Sequence, residues 1–192
     1  MSGHGKYWIW ATEAQSEMQA RIHGRPAIVN ELGLSFDSGV NQSQPVPNIE
    51  IRVSSDAIGV LTDNLIAPGT TGLLFNSRLR TLLLQNGVDN IEYFPATLFL
   101  EKSGDSITDY MIANVIGCIA CVSGESELLL DKNGQVEFID RLVLDEQIPQ
   151  ERLMFRLAEY RQIVIVHEYV KNAIEAAHIT GVKFYRPEEY VL

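Results

Sequence analysis

Cysteine is scarce in this chain, which has only Cys118 and Cys121 among its 192 residues. A small secreted domain stabilised by disulfides needs more, so this usage excludes a disulfide framework and indicates a reducing compartment. Residues 1–6 also lack the basic start and apolar run of a secretory signal. We therefore expect a cytoplasmic protein.

Long apolar runs are absent as well. The longest extends from Tyr110 to Val122 and is interrupted by Asn114 and Gly117, whereas a membrane-spanning helix needs about 20 apolar residues. We interpret this run as a buried strand. Hydrophobic residues make up 46% of the chain and charged residues 21%, which is typical of a soluble globular protein, and the length predicts a single domain.

Basic residues are outnumbered, with 15 Lys and Arg against 25 Asp and Glu and a formal net charge of −10. Such a charge repels nucleic acid and anionic lipid, so we expect neither a nucleic-acid partner nor a membrane partner. The charge favours a basic protein partner. An acidic surface that serves only to keep the protein soluble explains the net charge equally well.

Recognisable catalytic motifs are missing, including phosphate-binding loops, dinucleotide fingerprints and nucleophile elbows. His167 and Glu168 begin like a zinc-protease helix, but Lys171 occupies the place of the second histidine ligand. The remaining histidines, at positions 4, 23 and 178, show no triad spacing. We predict no catalytic residues, no metal site and no cofactor.

Cys118 and Cys121 form a Cys-x-x-Cys motif inside the predicted strand. A redox motif needs one sulfur exposed at a helix N-terminus, and a four-ligand zinc site needs a second pair. We interpret the two thiols as buried and unreactive. A small enzyme with thiol or hydrolase activity is the alternative interpretation.

Hydrophobic periodicity predicts an α+β fold, with a mainly antiparallel sheet, flanking helices and one domain over residues 1–192. Ile112, Val115 and Ile119 should be buried on a central strand. The predicted elements are, in chain order, a strand over 6–11, a short helix over 13–22, a mobile loop over 37–48, a strand over 49–53, a helix from Asn76 or Ser77 to Gly87, a hairpin of strands 93–101 and 107–122, a hairpin of strands 127–131 and 135–144, a short helix from Pro149, a strand over 162–166, a helix over 167–178 and a strand over 182–185.

The turn of the second hairpin, Lys132-Asn133-Gly134, carries the strongest local signal. Asn-Gly between apolar strands predicts a type I′ turn, because both residues tolerate positive φ. This hairpin lies within the segment 123–151, where eight acids oppose only Lys132 and Arg141 and account for −6 of the net charge.

Two interpretations of this acidic segment stay open. The charges prevent strand edges from aggregating, or they steer a basic partner into contact. The candidate partner-binding residues are Glu125, Glu127, Asp131, Glu137 and Asp140.

Several blocks resemble those of a known protein family. In the first block, a strand that begins with tyrosine contains Asn-Val and is followed by a cysteine and, further on, by a serine. The second block ends with a segment that contains Phe-Arg. The third block consists of a strand, a helix and a strand. In this chain the blocks are Tyr110–Ile116 with Cys118 and Ser126, Phe138–Asp145 with Leu153–Leu157, and Ile163–Val166 with 168–177 and Ile179–Phe184.

The family is immunity family eleven of bacterial polymorphic toxin systems, formerly a domain of unknown function. The resemblance extends from about Phe75 to Tyr185. One departure is that Ala120 and Cys121 stand where the family has an acidic residue after the first cysteine, which puts any role of that acid in doubt.

The resemblance implies a protein encoded beside a toxin gene that protects the producing cell by binding the toxin domain. We expect this protein to be a monomer or a weak homo-oligomer. Such toxins are often nucleases, whose basic substrate-binding faces suit an acidic partner. The family supplies no catalytic residues. An interaction module unrelated to any toxin remains the third interpretation.

Overall fold

The computed structural model describes residues 5–12, 22, 24–54, 60–67 and 72–191. Strands dominate these residues, and three α-helices accompany them. The fold class is therefore α+β, as predicted. Among the described residues, no helix has the length and hydropathy to cross a lipid bilayer.

The first sheet, in the described part of the chain, contains five strands. Its central strands are apolar at consecutive positions, as expected when both faces of a sheet are covered. In spatial order the strands are β13 (Val182–Tyr185), β1 (Tyr7–Thr12), β12 (Val164–His167), β11 (Met154–Leu157) and β8 (Cys118–Ile119).

The second sheet contains six described strands. In the strand Ile49–Val53, Glu50 and Arg52 are exposed between three buried residues, whereas residues 112–115 of a more central strand are all buried. In spatial order the strands are β2 (Ile49–Val53), β5 (Ile91–Leu100), β7 (Met111–Val115), β4 (Gly72–Phe75) and β3 (Asn64–Ala67), and β6 (Ser106–Ile107) pairs with β5.

A separate two-stranded sheet consists of β9 (Glu127–Leu130) and β10 (Val136–Arg141). The predicted antiparallel pairing is found in most ladders, including this hairpin. Two pairings are parallel, β2 with β5 and β8 with β11. Neither was predicted, because a parallel pair joins strands that are distant in sequence and leaves no turn signal.

The two sheets separate three hydrophobic clusters. One lies outside the second sheet, one lies between the sheets, and the third lies on the other face of the first sheet. Strand β1 illustrates the arrangement, because Tyr7 and Ile9 face the third cluster while Trp10 faces the middle one. This alternation explains the aromatic run that marked the strand in the sequence.

The helices α1 (Ala27–Glu31), α2 (Ser77–Gln85) and α3 (Glu168–Ala176) flank the sheets. Helix α2 confirms its prediction: Asn76 Oδ1 accepts a hydrogen bond from the Leu79 amide at 3.0 Å, and Gly87 has φ +81°. Helix α3 ends at Ala176, two residues before the predicted end at residue 178, because His178 already adopts a left-handed φ of +51°.

The prediction of one continuous strand over 107–122 is wrong. Strand β7 ends at Val115, and Gly117, with φ +103°, takes the chain from the second sheet to the first. Such a φ favours glycine and interrupts a strand. The expectation for burial is confirmed for Ile112 and Val115, both fully buried, and Ile119 in β8 is partly buried.

The short helix predicted at Pro149 is also wrong. Residues 146–151 form turns, and Gln150 and Glu151 have φ of +48° and +62°, which a right-handed helix does not allow. The helix predicted over 13–22 lies outside the described residues apart from Ile22, which forms a bridge with Val53. The segment 37–48 has no regular secondary structure, and its mobility stays a prediction.

Asp63 joins three elements through one buried carboxylate. It accepts hydrogen bonds from the Thr180 amide and hydroxyl at 2.8 and 2.9 Å, from Asn76 Nδ2 at 2.8 Å and from Arg78 Nη1 at 2.9 Å. Burial alone would raise the pKa of Asp63, but these donors hold it below its ordinary value. The start of β3, the cap of α2 and the α3–β13 loop are thereby fixed together.

We predict that Asp63→Asn lowers the free energy of unfolding by about 2 kcal/mol at pH 7, because hydrogen bonds to a charged group are lost. The depressed pKa means that the ionised carboxylate stabilises the fold above its unfolded pKa of about 4, and that this contribution is lost as pH falls through the folded pKa. Urea unfolding of Asp63→Asn and of the unchanged protein, at pH 7 and at about pH 3, measures this effect. The difference in unfolding free energy between the two proteins should be smaller at the lower pH.

Glu50→Gln is the matched control, because Glu50 pairs with Arg52 on the surface, where both side chains are more than half exposed. Such a pair contributes about 0–1 kcal/mol. If both variants lose the same free energy of unfolding at pH 7, the role assigned to Asp63 is contradicted.

Candidate functional site

The hairpin β9–β10 is attached to the first sheet through side chains rather than through a continuous ladder. Ile139 and, just after the hairpin, Leu142 and Leu144 are buried in the third hydrophobic cluster. The Ser126 hydroxyl donates to the Val143 carbonyl and accepts from its amide, both at 2.9 Å. The base of the hairpin is therefore anchored, and Leu128 and Val136 of its strands pack against the same cluster.

The turn of the hairpin is organised by Asp131. Its carbonyl accepts from the Gly134 amide at 3.0 Å, and its Oδ1 accepts from the amides of Asn133 and Gln135 at 2.8 Å each. Only Gly134 in this turn has positive φ, at +77°. The predicted type I′ turn is thus wrong, and the geometry is that of a longer turn with a left-handed glycine. The Gln135 and Asn133 donors hold the pKa of Asp131 below its ordinary value.

The five candidate acids all reach the surface. Four are exposed and Asp131 is partly buried. They lie on the hairpin and on the segment that leads into it. The positions are Glu125 before β9, Glu127 in β9, Asp131 in the turn, and Glu137 and Asp140 in β10.

Exposed apolar side chains lie among these acids. Leu129 is 58% exposed and Phe138 is 40% exposed, and the two are opposite each other in the ladder, so they share one face. This pair was not predicted from the sequence. The signal was the run Leu128-Leu129-Leu130, because consecutive residues of a strand point to opposite faces and cannot all be buried by one core.

A cleft of about 780 Å³ lies beside the hairpin. Its walls come from the hairpin residues Leu128, Leu130 and Val136 and from the segments 35–38 and 158–162. Glu159 is part of this lining. Its Oε1 accepts from the Val122 amide at 3.1 Å, and its Oε2 is buried and has no hydrogen bond among the described residues.

The comparisons with known proteins place this geometry in a family. The immunity protein family (Imm11) matches residues 2–189 of the chain. The chain belongs to this family. The comparison with curated proteins gave no match.

Membership confirms the resemblance seen in the sequence and extends it from Phe75 back to residue 2. An Imm11 protein has an immunity function against a toxin, which it binds. The candidate site is therefore a candidate protein interface, and its acids and apolar side chains are to be judged as contact residues.

The two cysteines of this Imm11 chain differ from each other. Cys121 is buried, and burial, together with Glu159 and Asp145, raises its pKa to about 12. Cys118 is exposed, with its Sγ 3.5 Å from the Ser38 carbonyl. The prediction of two buried thiols is thus wrong for Cys118, because the turn at Gly117 removes it from the strand in which it was placed.

The histidines of the described residues have structural roles. His167 Nδ1 accepts from the Tyr169 amide at 3.1 Å and caps α3, and its Nε2 is 3.4 Å from Glu151 Oε2. His178 ends the same helix through its backbone. His4 and His23 lie outside the described residues. Within the described ranges, no three His, Cys, Asp or Glu residues are grouped so that they could hold a metal ion.

We predict that a thiol reagent labels one cysteine of the native protein quickly and the second only after unfolding, because Cys121 is both buried and kept protonated. Mass spectrometry of the labelled protein should identify Cys118 as the fast site, and Cys118→Ser should abolish the fast phase. Fast labelling of Cys121 in the native protein would contradict this assignment.

Proposed function

We propose that this Imm11 protein neutralises its toxin by binding it with the hairpin surface, defined as Leu129 and Phe138 together with the five acids around them. The observation that carries the proposal is the pair of exposed apolar side chains inside an acidic border. Protein interfaces combine a desolvated apolar centre with a polar rim, and aromatic side chains often dominate their energy. The hairpin surface has this composition.

The charge of the hairpin surface supports a basic partner. Complementary charge speeds encounter and disfavours wrong partners. A nuclease domain is such a partner, because the face that holds nucleic acid must neutralise phosphates with Lys and Arg. We infer that the cognate toxin is a nuclease-type effector and that the hairpin occludes its substrate-binding face.

The rigidity of the hairpin supports insertion into a cleft of the toxin. The hydrogen bonds of Asp131 order the turn, and those between Ser126 and Val143 order the base. A preorganised binding element loses little conformational entropy when it binds. A two-stranded hairpin is also narrow enough to enter an active site that accommodates a nucleic-acid strand.

The proposal includes the oligomeric state and the cellular location of the protein. The acids of one hairpin repel those of a second copy brought against it, which favours a monomer or a weak homo-oligomer. A cytoplasmic location fits a toxin that attacks nucleic acid, since the protection is needed there. The chain acts in this proposal by binding, as one domain and without a cofactor.

We predict that reversing Glu125, Glu127 and Asp131 to lysine lowers the association rate with the toxin domain encoded beside the gene by about 10-fold or more. Association with the unchanged protein should also slow as salt rises, because charges are screened beyond about 8 Å at physiological ionic strength. Stopped-flow or surface-binding kinetics at several salt concentrations would measure both effects.

The matched control reverses three exposed acids outside the hairpin, Glu31, Asp89 and Asp105. It changes the net charge equally but leaves the hairpin surface intact, so the association rate should fall far less. If the hairpin variant binds and protects like the unchanged protein, its acids serve solubility and the interface lies elsewhere.

We predict that Phe138→Ala raises the dissociation rate of the toxin complex by about tenfold or more, since an aromatic side chain at the centre of an interface contributes about 2 kcal/mol. Folding should be unaffected, because Phe138 is 40% exposed. Leu84→Ala is the control, as Leu84 is 67% exposed on α2. Equal dissociation rates for the two variants would exclude Phe138 from the interface.

A further inference from the structure

We propose that the cleft beside the hairpin is a socket for one cationic side chain of the toxin, an arginine or a lysine, and that Glu159 is its acceptor. This inference rests on the proposed function, because it specifies how the same toxin is recognised. The cleft lies on the opposite side of β9 from Leu129, so the two contacts would hold the hairpin from both faces.

One wall of the cleft is apolar. Leu128 and Leu130 are two residues apart in β9 and therefore point to the same face, and Val136 lies opposite Leu130 in the ladder. Leu130 is 52% exposed, so the wall is open to a ligand. An aliphatic stem packed along these side chains would remove apolar surface from water.

The other side of the cleft carries charge. Asp37 and Glu159 line it together with Arg161. Asp37 already has partners, since its Oδ1 accepts from the Ser35 hydroxyl and the buried Arg156 attracts it electrostatically. Glu159 Oε2, by contrast, has no hydrogen-bond partner among the described residues.

A carboxylate oxygen that is buried without a donor costs free energy, and such an oxygen in a native structure calls for a partner. Oε2 is buried, and a rotation of the Glu159 side chain, whose terminal torsion is soft, would bring it to a donor that enters the cleft. Arginine and lysine combine a long aliphatic stem with a cationic donor. This chemistry matches both walls, and basic toxin surfaces provide it.

The first experiment tests the socket without the toxin. n-Butylguanidinium, which has an aliphatic stem and a cationic head, is titrated into the protein, and amide shifts are followed by NMR. We expect binding with a dissociation constant on the order of millimolar, with shifts at Val122 and in residues 158–162. The neutral n-butylurea should bind at least about fivefold more weakly.

Three variants distinguish the contribution of the charged side of the cleft from that of its apolar wall. Glu159→Gln keeps an acceptor for the Val122 amide and should weaken n-butylguanidinium binding by about tenfold. Leu130→Ala should weaken both probes, because it removes part of the apolar wall. Glu31→Gln, which makes the same charge change outside both the cleft lining and the hairpin surface, should leave both unchanged. Equal binding of the two probes, or no effect of Glu159→Gln, overturns the socket.

The second experiment measures toxin affinity. Glu159→Gln should weaken the complex by about tenfold, whereas Glu137→Gln, a single rim charge, should cost less than about fivefold. If Glu159→Gln has no effect while the triple reversal on the hairpin does, the socket is wrong and the proposed function stands. If neither changes affinity, both fail, and the probe titration still reports whether the cleft binds a cation.

Discussion

One buried guanidinium determines how the parts of this structure meet. Arg156 is 2% exposed, and it donates to the carbonyls of Phe36, Val115 and Arg161 at 2.8 to 3.3 Å. Burial lowers its pKa, while Asp37 opposes that effect. A charge can stay in the interior only if its donors are satisfied. The end of β7, the segment before the loop 37–48 and the turn at 158–162 must therefore converge on this side chain.

The acceptors of Arg156 are main-chain atoms, so the arrangement depends on the path of the chain and not on which side chains those three positions carry. The same path forms two sides of the cleft, because 35–38 and 158–162 line it. The hairpin supplies the remaining wall from β9 and from residues 134–136 at its turn end. The shape of the cleft is thus a consequence of core packing, whereas its chemistry comes from Glu159 and the leucines of β9.

Local signals in the sequence predicted much of the fold. The alternation of Ile49, Ile51 and Val53, the cap at Asn76 and the Asn-Gly signal each act over a few residues. The corresponding strand, helix and hairpin are confirmed, although the turn is not of type I′. The break at Gly117 and the parallel pairings escaped prediction, because both depend on which distant segments pack together. The acids of the hairpin were found from composition. The cleft could not be, since residues 35–38, 128–136 and 158–162 meet only in the folded chain.

Among the described strands, those of the hairpin form no ladder with either large sheet. This affects how the sequence of the protein can evolve. The attachment of the hairpin relies on Ile139, Leu142, Leu144 and the Ser126–Val143 bonds, so the outward positions of both strands carry little of the folding free energy. Under the proposed function, substitutions at those positions can follow changes in the toxin surface while the scaffold stays intact. The same proposal implies that a new toxin specificity can arise on this one hairpin without an intermediate variant that fails to fold.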